Sequence, residues 1–309
     1  MKRRTAILAL LCVLAALPAT AAESAKDGSW LQNGRDWVRQ LWRDDARQWL
    51  ERIDGAVLNN EYQGVIVFAQ GDRIESLAVE HRLRDGVETL RLRTLSGPPR
   101  ELVKRNGRIQ SDSLGADAPA SGAASAQTTF SQFGRLARNK WYKAALAEQG
   151  RVAGRPAQAI DIRAVDDWRY GYRLWLDQET GLPLKIVTLD ERGYTVEQVA
   201  FTQIRISPAK GKPAGHRPPA PKALDNPFKD VKGFRLVARG RKGASEHYLF
   251  SDGLASVSLY VEPAAVKDKA QMRKDSVNGL MFADGSTRYV VLGKVPVATL
   301  ERILAAARP

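Results

Sequence analysis

The sequence predicts a two-domain α+β protein built mainly on antiparallel strands, from three observations. Between Tyr62 and Ile206 the apolar residues recur with a period of two, and the breaks between runs are too short to hold crossover helices, so neighbouring strands must run antiparallel. Helices are read only over residues 35–58, briefly over 133–147, and at 296–307. Residues 207–227 hold six prolines and two glycines with no apolar period, which reads as an interdomain linker, partly extended. A length of 309 residues suits two domains, here 23–206 and 228–309, preceded by a segment at 1–22.

That first segment has the layout of a secretory signal peptide. Lys2, Arg3 and Arg4 precede an apolar run from Ala6 to Leu17, and Ala19 and Ala21 form an A-x-A site with cleavage expected after Ala21 or Ala22. The run of 12 residues is short of the ~20 that span a bilayer. Cys12 lies inside it, so the exported chain would have no cysteine.

The helix at 35–58 follows from Val38, Leu41, Trp42, Ala46, Trp49, Leu50, Ile53 and Val57 at helical spacing, opposite Arg39, Arg43, Arg47 and Glu51. The period then drops to two. Gly64–Ala69 is a buried strand, and Leu77, Val79, His81 and Leu83 alternate with Ala78, Glu80 and Arg82. His81 therefore lies on an apolar face as a hydrogen-bonded core residue. Leu90 and Leu92 continue the meander, and Arg100–Arg105 with Arg108–Ser113 form a hairpin through Asn106-Gly107. Residues 115–129, small and polar, read as a long loop over the sheet. Ala157–Ile162, then Tyr170, Tyr172, Leu174 and Leu176 on one face, lead through the DQETGLP loop to Leu184–Leu189 and Val196–Ile206. Past the linker, strands are read at Gly233–Arg239, His247–Asp252, Ala255–Glu262 and Thr287–Leu292.

Composition excludes several classes. Hydrophobic residues at 44% and charged residues at 27% rule out a disordered, collagen-like or multi-span membrane chain. One cysteine and three histidines (His81, His216, His247) leave no material for a disulfide framework, a Cys-rich metal site or extensive acid–base chemistry. No nucleophile elbow, phosphate loop, dinucleotide fingerprint or zinc-protease motif occurs. His247, Ser251 and Asp252 lie along one strand and its turn, with His247 and Ser251 ~13 Å apart at ~3.3 Å rise, too far for a catalytic hydrogen bond. Ser251-Asp252-Gly253 reads as a turn, and Asp166-Asp167 beside Arg163 and Arg169 as local ion pairs. No cofactor or metal is expected.

The net charge of +14 falls to +11 without the signal segment, and residues 228–309 hold 14 basic against 8 acidic residues. A basic region takes nucleic acid, an anionic membrane surface or an acidic partner, or is a solvated face. Export disfavours nucleic acid. Arg239, Arg241 and Lys242 in ARGRKGAS, read as a loop, are the densest cluster and the candidate partner-binding residues.

Four stretches together resemble the RseB/MucB family of periplasmic regulators of the envelope-stress sigma factor. They are YQGVIVFAQGDRIESLAVEHRLRDGVETLRL (62–92), LSGPPRELVKRNGRI (95–109), RVAGRPAQAIDI with DWRYGYRLWLDQETGLPLK (151–185), and HYLFSDGLASVSLYVE with GKVPVATLERI (247–262 and 293–303). The resemblance implies a LolA/LolB-like incomplete antiparallel β-barrel capped by helices in the N-terminal domain, able to accept acyl chains, and a smaller C-terminal α+β domain that binds the partner. It implies a periplasmic, non-enzymatic regulator that binds the periplasmic domain of an RseA/MucA-like anti-sigma factor, shields it from site-one proteolysis, and is released by lipid or lipopolysaccharide; homo-oligomers are compatible with it. The chain departs from the family pattern in its Ala/Ser/Gly loop at 115–129 and its lack of cysteine after export. On this reading Leu77, Val79, Leu90, Leu92, Tyr172, Leu174 and Leu176, set on one side of a curved sheet by their period, line the lipid cavity. A lipid or lipoprotein carrier is the competing reading, which the second domain disfavours, and a secreted hydrolase is the third.

Overall fold

A computed structural model describes residues 45–106, 108–112, 133–210, 222–229, 231–274 and 276–308. The signal segment 1–22, residues 35–44 of the expected first helix, the loop at 115–129 and residues 211–221 of the expected linker lie outside the described residues.

Residues 45–59 are helical (α1) and run straight into the first strand. The N-terminal sheet has ten strands. These are β1 (Asn60–Gln70), β2 (Arg73–Arg84), β3 (Val87–Thr94), β4 (Glu101–Arg105), β5 (Arg108–Asp112), β6 (Tyr142–Val152), β7 (Arg155–Ala164), β8 (Gly171–Asp177), β9 (Pro183–Leu189) and β10 (Thr195–Pro208). Their order is β5-β4-β3-β2-β1-β10-β9-β8-β7-β6, two meanders joined where β1 pairs antiparallel with β10. The ends β5 and β6 do not pair with each other, so the barrel is incomplete.

The inward face follows the period of two. Leu77, Val79, Leu83, Leu92, Ile160, Ile162, Leu174, Leu176 and Ile186 are all buried. All but Leu83 join Ala46, Leu50, Ile53, Ala56 and Val57 of α1 in one apolar cluster. Strands from both meanders meet the same short helix, which requires the sheet to curve around it. At the seam, β10 has one residue more than β1 between the pairs Val65↔Gln203 and Ile66↔Phe201. The extra residue, Thr202, is a bulge whose hydroxyl donates to the Val65 carbonyl at 3.3 Å, and such bulges increase local bend and twist. Gly64 is required beside it, because a Cβ there would lie 2.1 Å from the Gln203 carbonyl oxygen.

His81 is the core residue expected. It is buried, stacks on Tyr62 at 4.7 Å, and its ring nitrogens lie 3.0 Å from the Asn60 carbonyl and 3.1 Å from the Glu88 carboxylate.

The β8–β9 turn is held by Asp177. Its carboxylate accepts a bidentate pair from Arg155 at 2.8 and 2.9 Å and bonds from the Thr180 hydroxyl and N–H. Burial by itself would raise this carboxyl; the Arg155 and Thr180 bonds outweigh it and hold it below its ordinary value of 3.8. A depressed carboxyl stabilises the fold above the unfolded-state value, and that stabilisation is lost as pH falls through the depressed one. Asp177→Asn is therefore expected to cost about 1–3 kcal/mol at neutral pH, with a smaller gap from wild type below pH ~3. Urea melts at pH 7 and pH 2.5 check this, and a gap that widens in acid refutes it.

The C-terminal sheet has six strands, β11 (Arg235–Lys242), β12 (Ser245–Ser251), β13 (Ser256–Pro263), β14 (Lys267–Lys274), β15 (Val277–Asp284) and β16 (Thr287–Gly293), followed by helix α2 (Val297–Ala307). Their order is β11-β12-β13-β16-β15-β14. Leu300, Ile303 and Leu304 of α2 pack on Val257, Leu259, Leu280 and Val291 as a second core.

Three expectations need correction. Of the helix read over 133–147 only 133–138 is helical, Gly134–Arg138 as a 3-10 turn, because Tyr142, Ala144 and Leu146 alternate with outward residues and join β6. Strands β14 and β15 were not expected: β14 is polar on both faces and β15 has no alternation. Arg239, Arg241 and Lys242 lie on β11 rather than in a loop, since pairing with β12 runs to Lys242↔Ser245.

Candidate functional site

The chain positions three sets of side chains relevant to binding. The first is the inner face of the barrel. Of the seven residues expected to line a lipid cavity, Leu77, Val79, Leu92, Tyr172, Leu174 and Leu176 are buried in a single cluster, and Leu90 packs half-buried against it. Phe133 meets the Tyr172 ring edge-on at 5.1 Å. Helix α1 covers this face and is tied to the β8–β9 turn by Arg52, which donates to the carbonyls of Gln178 and Glu179 at 3.3 and 3.1 Å. Burial pushes the phenols of Tyr62, Tyr142 and Tyr172 well above their ordinary value, so all three stay neutral. The side chains gathered on this face are hydrophobic, and at one margin the Tyr142 hydroxyl reaches the Asp252 carboxylate. A cavity of about 550 Å³ reaches Val79 but is lined otherwise by residues such as Gln63, Arg93, Gln203 and Arg205, and one of about 500 Å³ reaches Tyr172 beside Asp161, Asp166, Arg173 and Asp190.

The second set is the basic strand β11. Arg239 and Arg241, two apart, share a face and reach one carboxylate, Glu246, at 3.6 and 3.9 Å. Arg239 also lies over the Tyr248 ring at 5.2 Å. The Tyr248 hydroxyl, then the two guanidinium groups, hold Glu246 below its ordinary value. Lys242 is exposed. One carboxylate shared by two arginines leaves the strand net positive.

The third set, which sequence reasoning missed, joins the two sheets. Arg169, in the β7–β8 connection, is fully buried. Its Nε donates to Asp252 of the β12–β13 turn at 2.6 Å, its Nη1 to Asp166 at 2.6 and 2.8 Å, and its guanidinium lies 4.7 Å from the rings of both Trp141 and Phe234. The Tyr142 hydroxyl also donates to Asp252, at 3.1 Å. Gly233, at φ +82°, sits against this stack, where a Cβ would lie 2.2 Å from Arg169 Nη2. At a second point Glu197 of β10 accepts from Gln70, Ser276 and Lys294 at 3.1, 2.9 and 2.8 Å. At a third, Asn278 donates to the Tyr170 hydroxyl at 2.9 Å and Thr299 to the Trp168 carbonyl at 2.7 Å. The expected Asp166–Arg169 ion pair is present, but as part of this junction. The Ser-Asp-Gly turn is also present, with Asp252 Oδ1 accepting from Leu254 and Ala255 N–H. Among the described residues no group of three or more His, Cys, Asp or Glu is placed to hold a metal.

Comparison with known proteins places both halves of the chain. The model of the MucB/RseB N-terminal domain matches residues 45–225, and that of the MucB/RseB C-terminal domain matches residues 226–308. Sigma factor AlgU regulatory protein MucB of Pseudomonas aeruginosa is 30% identical over 335 aligned residues, covering 99% of this chain and 98% of that protein. Sigma-E factor regulatory protein RseB of Escherichia coli K12 is 27% identical over 277 residues, covering 80% and 84%. A crystal structure of MucB in complex with MucA(peri) matches with a TM-score of 0.69 at 30% identity, covering 85% of this chain and 98% of that one.

Proposed function

The chain belongs to the MucB/RseB family, and on that premise we propose that it is a periplasmic negative regulator of an envelope-stress sigma factor, acting by binding the periplasmic domain of a membrane anti-sigma factor. Its class, a regulatory binding protein rather than an enzyme, follows from the family. The observation that carries the proposal is the match along nearly the whole of a MucB chain solved with MucA(peri). The bound protein shields the anti-sigma factor from its first proteolytic cut, and lipid or lipopolysaccharide entering the barrel releases it. What supports the lipid step is the apolar inner face around Leu174 and Tyr172. A lipid or lipoprotein carrier draws on that same face, but a carrier has no need of a basic second sheet tied to the first at three points.

The test is calorimetry of the exported chain with the periplasmic domain of a MucA-type anti-sigma factor, followed by protease digestion of that domain with and without the chain. Binding and protection are expected, both reversed by lipopolysaccharide micelles; no binding refutes the proposal, and binding indifferent to lipid refutes the release step. Charge contributes through β11. Arg239→Ala, Arg241→Ala and Lys242→Ala together are expected to slow association more than they speed dissociation, because exposed charges act mainly through steering. Association should also slow as salt rises, since screening reaches ~10 Å at 0.1 M. Stopped-flow rates independent of salt would remove steering.

A further inference from the structure

Strand β14 has little besides its backbone ladder to hold it to the C-terminal sheet. It lies at the sheet edge, paired only with β15. Residues 267–273 are all exposed, and the apolar ones are Ala270 and Met272. Among the described residues its side-chain hydrogen bond, from the Lys269 N–H to Asp268, is internal to the strand. One side-chain contact is nevertheless built. Met272 pairs with Gly279 of β15. Leu280 belongs to the core beneath α2, so Gly279 turns to the opposite face. A Cβ on Gly279 would lie 2.6 Å from Met272 Cγ, 3.2 Å from its Sδ and 2.7 Å from Leu292 Cδ2. The thioether therefore lies across the bare backbone of Gly279 and converges there with Leu292 of β16, spanning β15 to reach the strand beyond it. Gly279 is buried beneath the two side chains. A larger residue at 279 would lift the thioether away. Met272 itself is 55% exposed, so the clasp is open to small solutes.

We propose that Met272 is a modification site for hypohalous acids, and that its sulfoxide unfastens β14 from β15. The sulfur attacks the chlorine of hypochlorous acid; an S–Cl bond forms as the O–Cl bond breaks and hydroxide departs. Water then adds to sulfur through its oxygen, chloride leaves, and two protons are released, one of them to the hydroxide. Sulfur loses two electrons and chlorine takes them. Competing sulfur is sparse. Cysteine occurs only at Cys12, within the apolar run of the expected signal segment. Met281, on the same face beside Ala270, is half-buried. The product replaces a soft apolar sulfur with a polar, chiral S=O group against Gly279 and Leu292, a contact that depends on being apolar. Once it is lost, the ladder alone holds β14, and each opening exposes Leu280-Met281-Phe282 of β15 as a new sheet edge. Methionine sulfoxide reductases restore the thioether and with it the clasp.

The experiment treats the exported chain with one equivalent of hypochlorous acid, maps the added oxygen by peptide mass spectrometry, and compares hydrogen exchange of the β14–β15 ladder before and after. Oxygen is expected first at Met272, with ladder exchange about fivefold faster and returned to its starting rate by sulfoxide reductases A and B. Met272→Leu keeps the packing without an oxidisable sulfur and should exchange slowly with or without oxidant. Met272→Gln, polar and of similar length, should exchange fast with no oxidant at all. Met281→Leu should respond as the wild type does. Oxygen landing on Met281 before Met272 would overturn the proposal. So would ladder exchange unchanged by the sulfoxide, slow exchange in Met272→Gln, or equal acceleration of Met272→Leu by the oxidant.

Discussion

Arg169→Met should cost about 3–5 kcal/mol of stability, the usual consequence of removing one member of a buried ion pair and leaving the other uncompensated. Both Arg169 and Asp252 are fully buried. The backbone N–H groups of Leu254 and Ala255 continue to serve Asp252 Oδ1, but Oδ2 would keep only the Tyr142 hydroxyl. The same change removes the cation held between Trp141 and Phe234. Because Trp141 and Trp168 both lie at the junction between the sheets, tryptophan fluorescence during urea unfolding reads the event directly. A second, earlier transition is expected as the C-terminal sheet separates from the first. Asp252→Asn added to Arg169→Met should recover part of the loss, since an unpaired neutral amide costs less to bury than an unpaired carboxylate. A loss below about 1 kcal/mol would mean that the guanidinium is dispensable and that the other polar contacts and apolar packing hold the sheets together.

Leu50→Ala is expected to destabilise the N-terminal domain by about 2–5 kcal/mol, the range for a buried leucine whose site collapses only partly. Leu50 is 1% exposed and sits in the cluster with Leu174, Leu176 and Tyr172. The urea midpoint should fall with an unchanged slope. If the interior admits hydrocarbon, the space vacated on α1 should also let a medium-chain fatty acid bind the variant more tightly than the wild type. A midpoint within 0.3 M urea of wild type would show that α1 contributes little to the core.

How much of this was legible in the sequence varied with the physics of each element. Strand β2 was transparent, because Leu77, Val79, His81 and Leu83 face a core while Ala78, Glu80 and Arg82 face outward, and a single wet face imposes the period of two. Strand β14 was opaque for the opposite reason. An edge strand with no apolar face leaves no period, and KDKAQMRK reads as a loop until its partner β15 is known. Strand β6 was half-read as helix because Leu136 and Ala137 on the 3-10 turn and Trp141 just after it fall at helical spacing. Alternation set the seven barrel residues on one face, where six are buried and Leu90 is half-buried, yet the junction was not foreseen. Nothing local distinguishes Arg169 from any arginine beside an aspartate; its burial depends on Trp141, Phe234 and Asp252, which arrive from distant parts of the chain. The family resemblance supplied the architecture and the partner class.

The pairing of β1 with β10 bears on how the chain acquires its structure as it is made. Strands β1 to β5 and β6 to β10 are each stitched by short turns and can assemble from local contacts, while the seam joins the extremes, Asn60 with Pro208. A pairing of such high sequence separation comes late and slowly, because the loop entropy must be spent before the contacts form. As the chain emerges amino end first, the completed first meander must wait with the open edge of β1 exposed, carrying GVIVFA, until β10 arrives. An unpaired apolar strand edge is a template for aggregation. The interval between appearance of β1 and arrival of β10 is therefore the vulnerable stage of biogenesis, and holding chaperones should act on the nascent chain there rather than after the barrel has closed its seam.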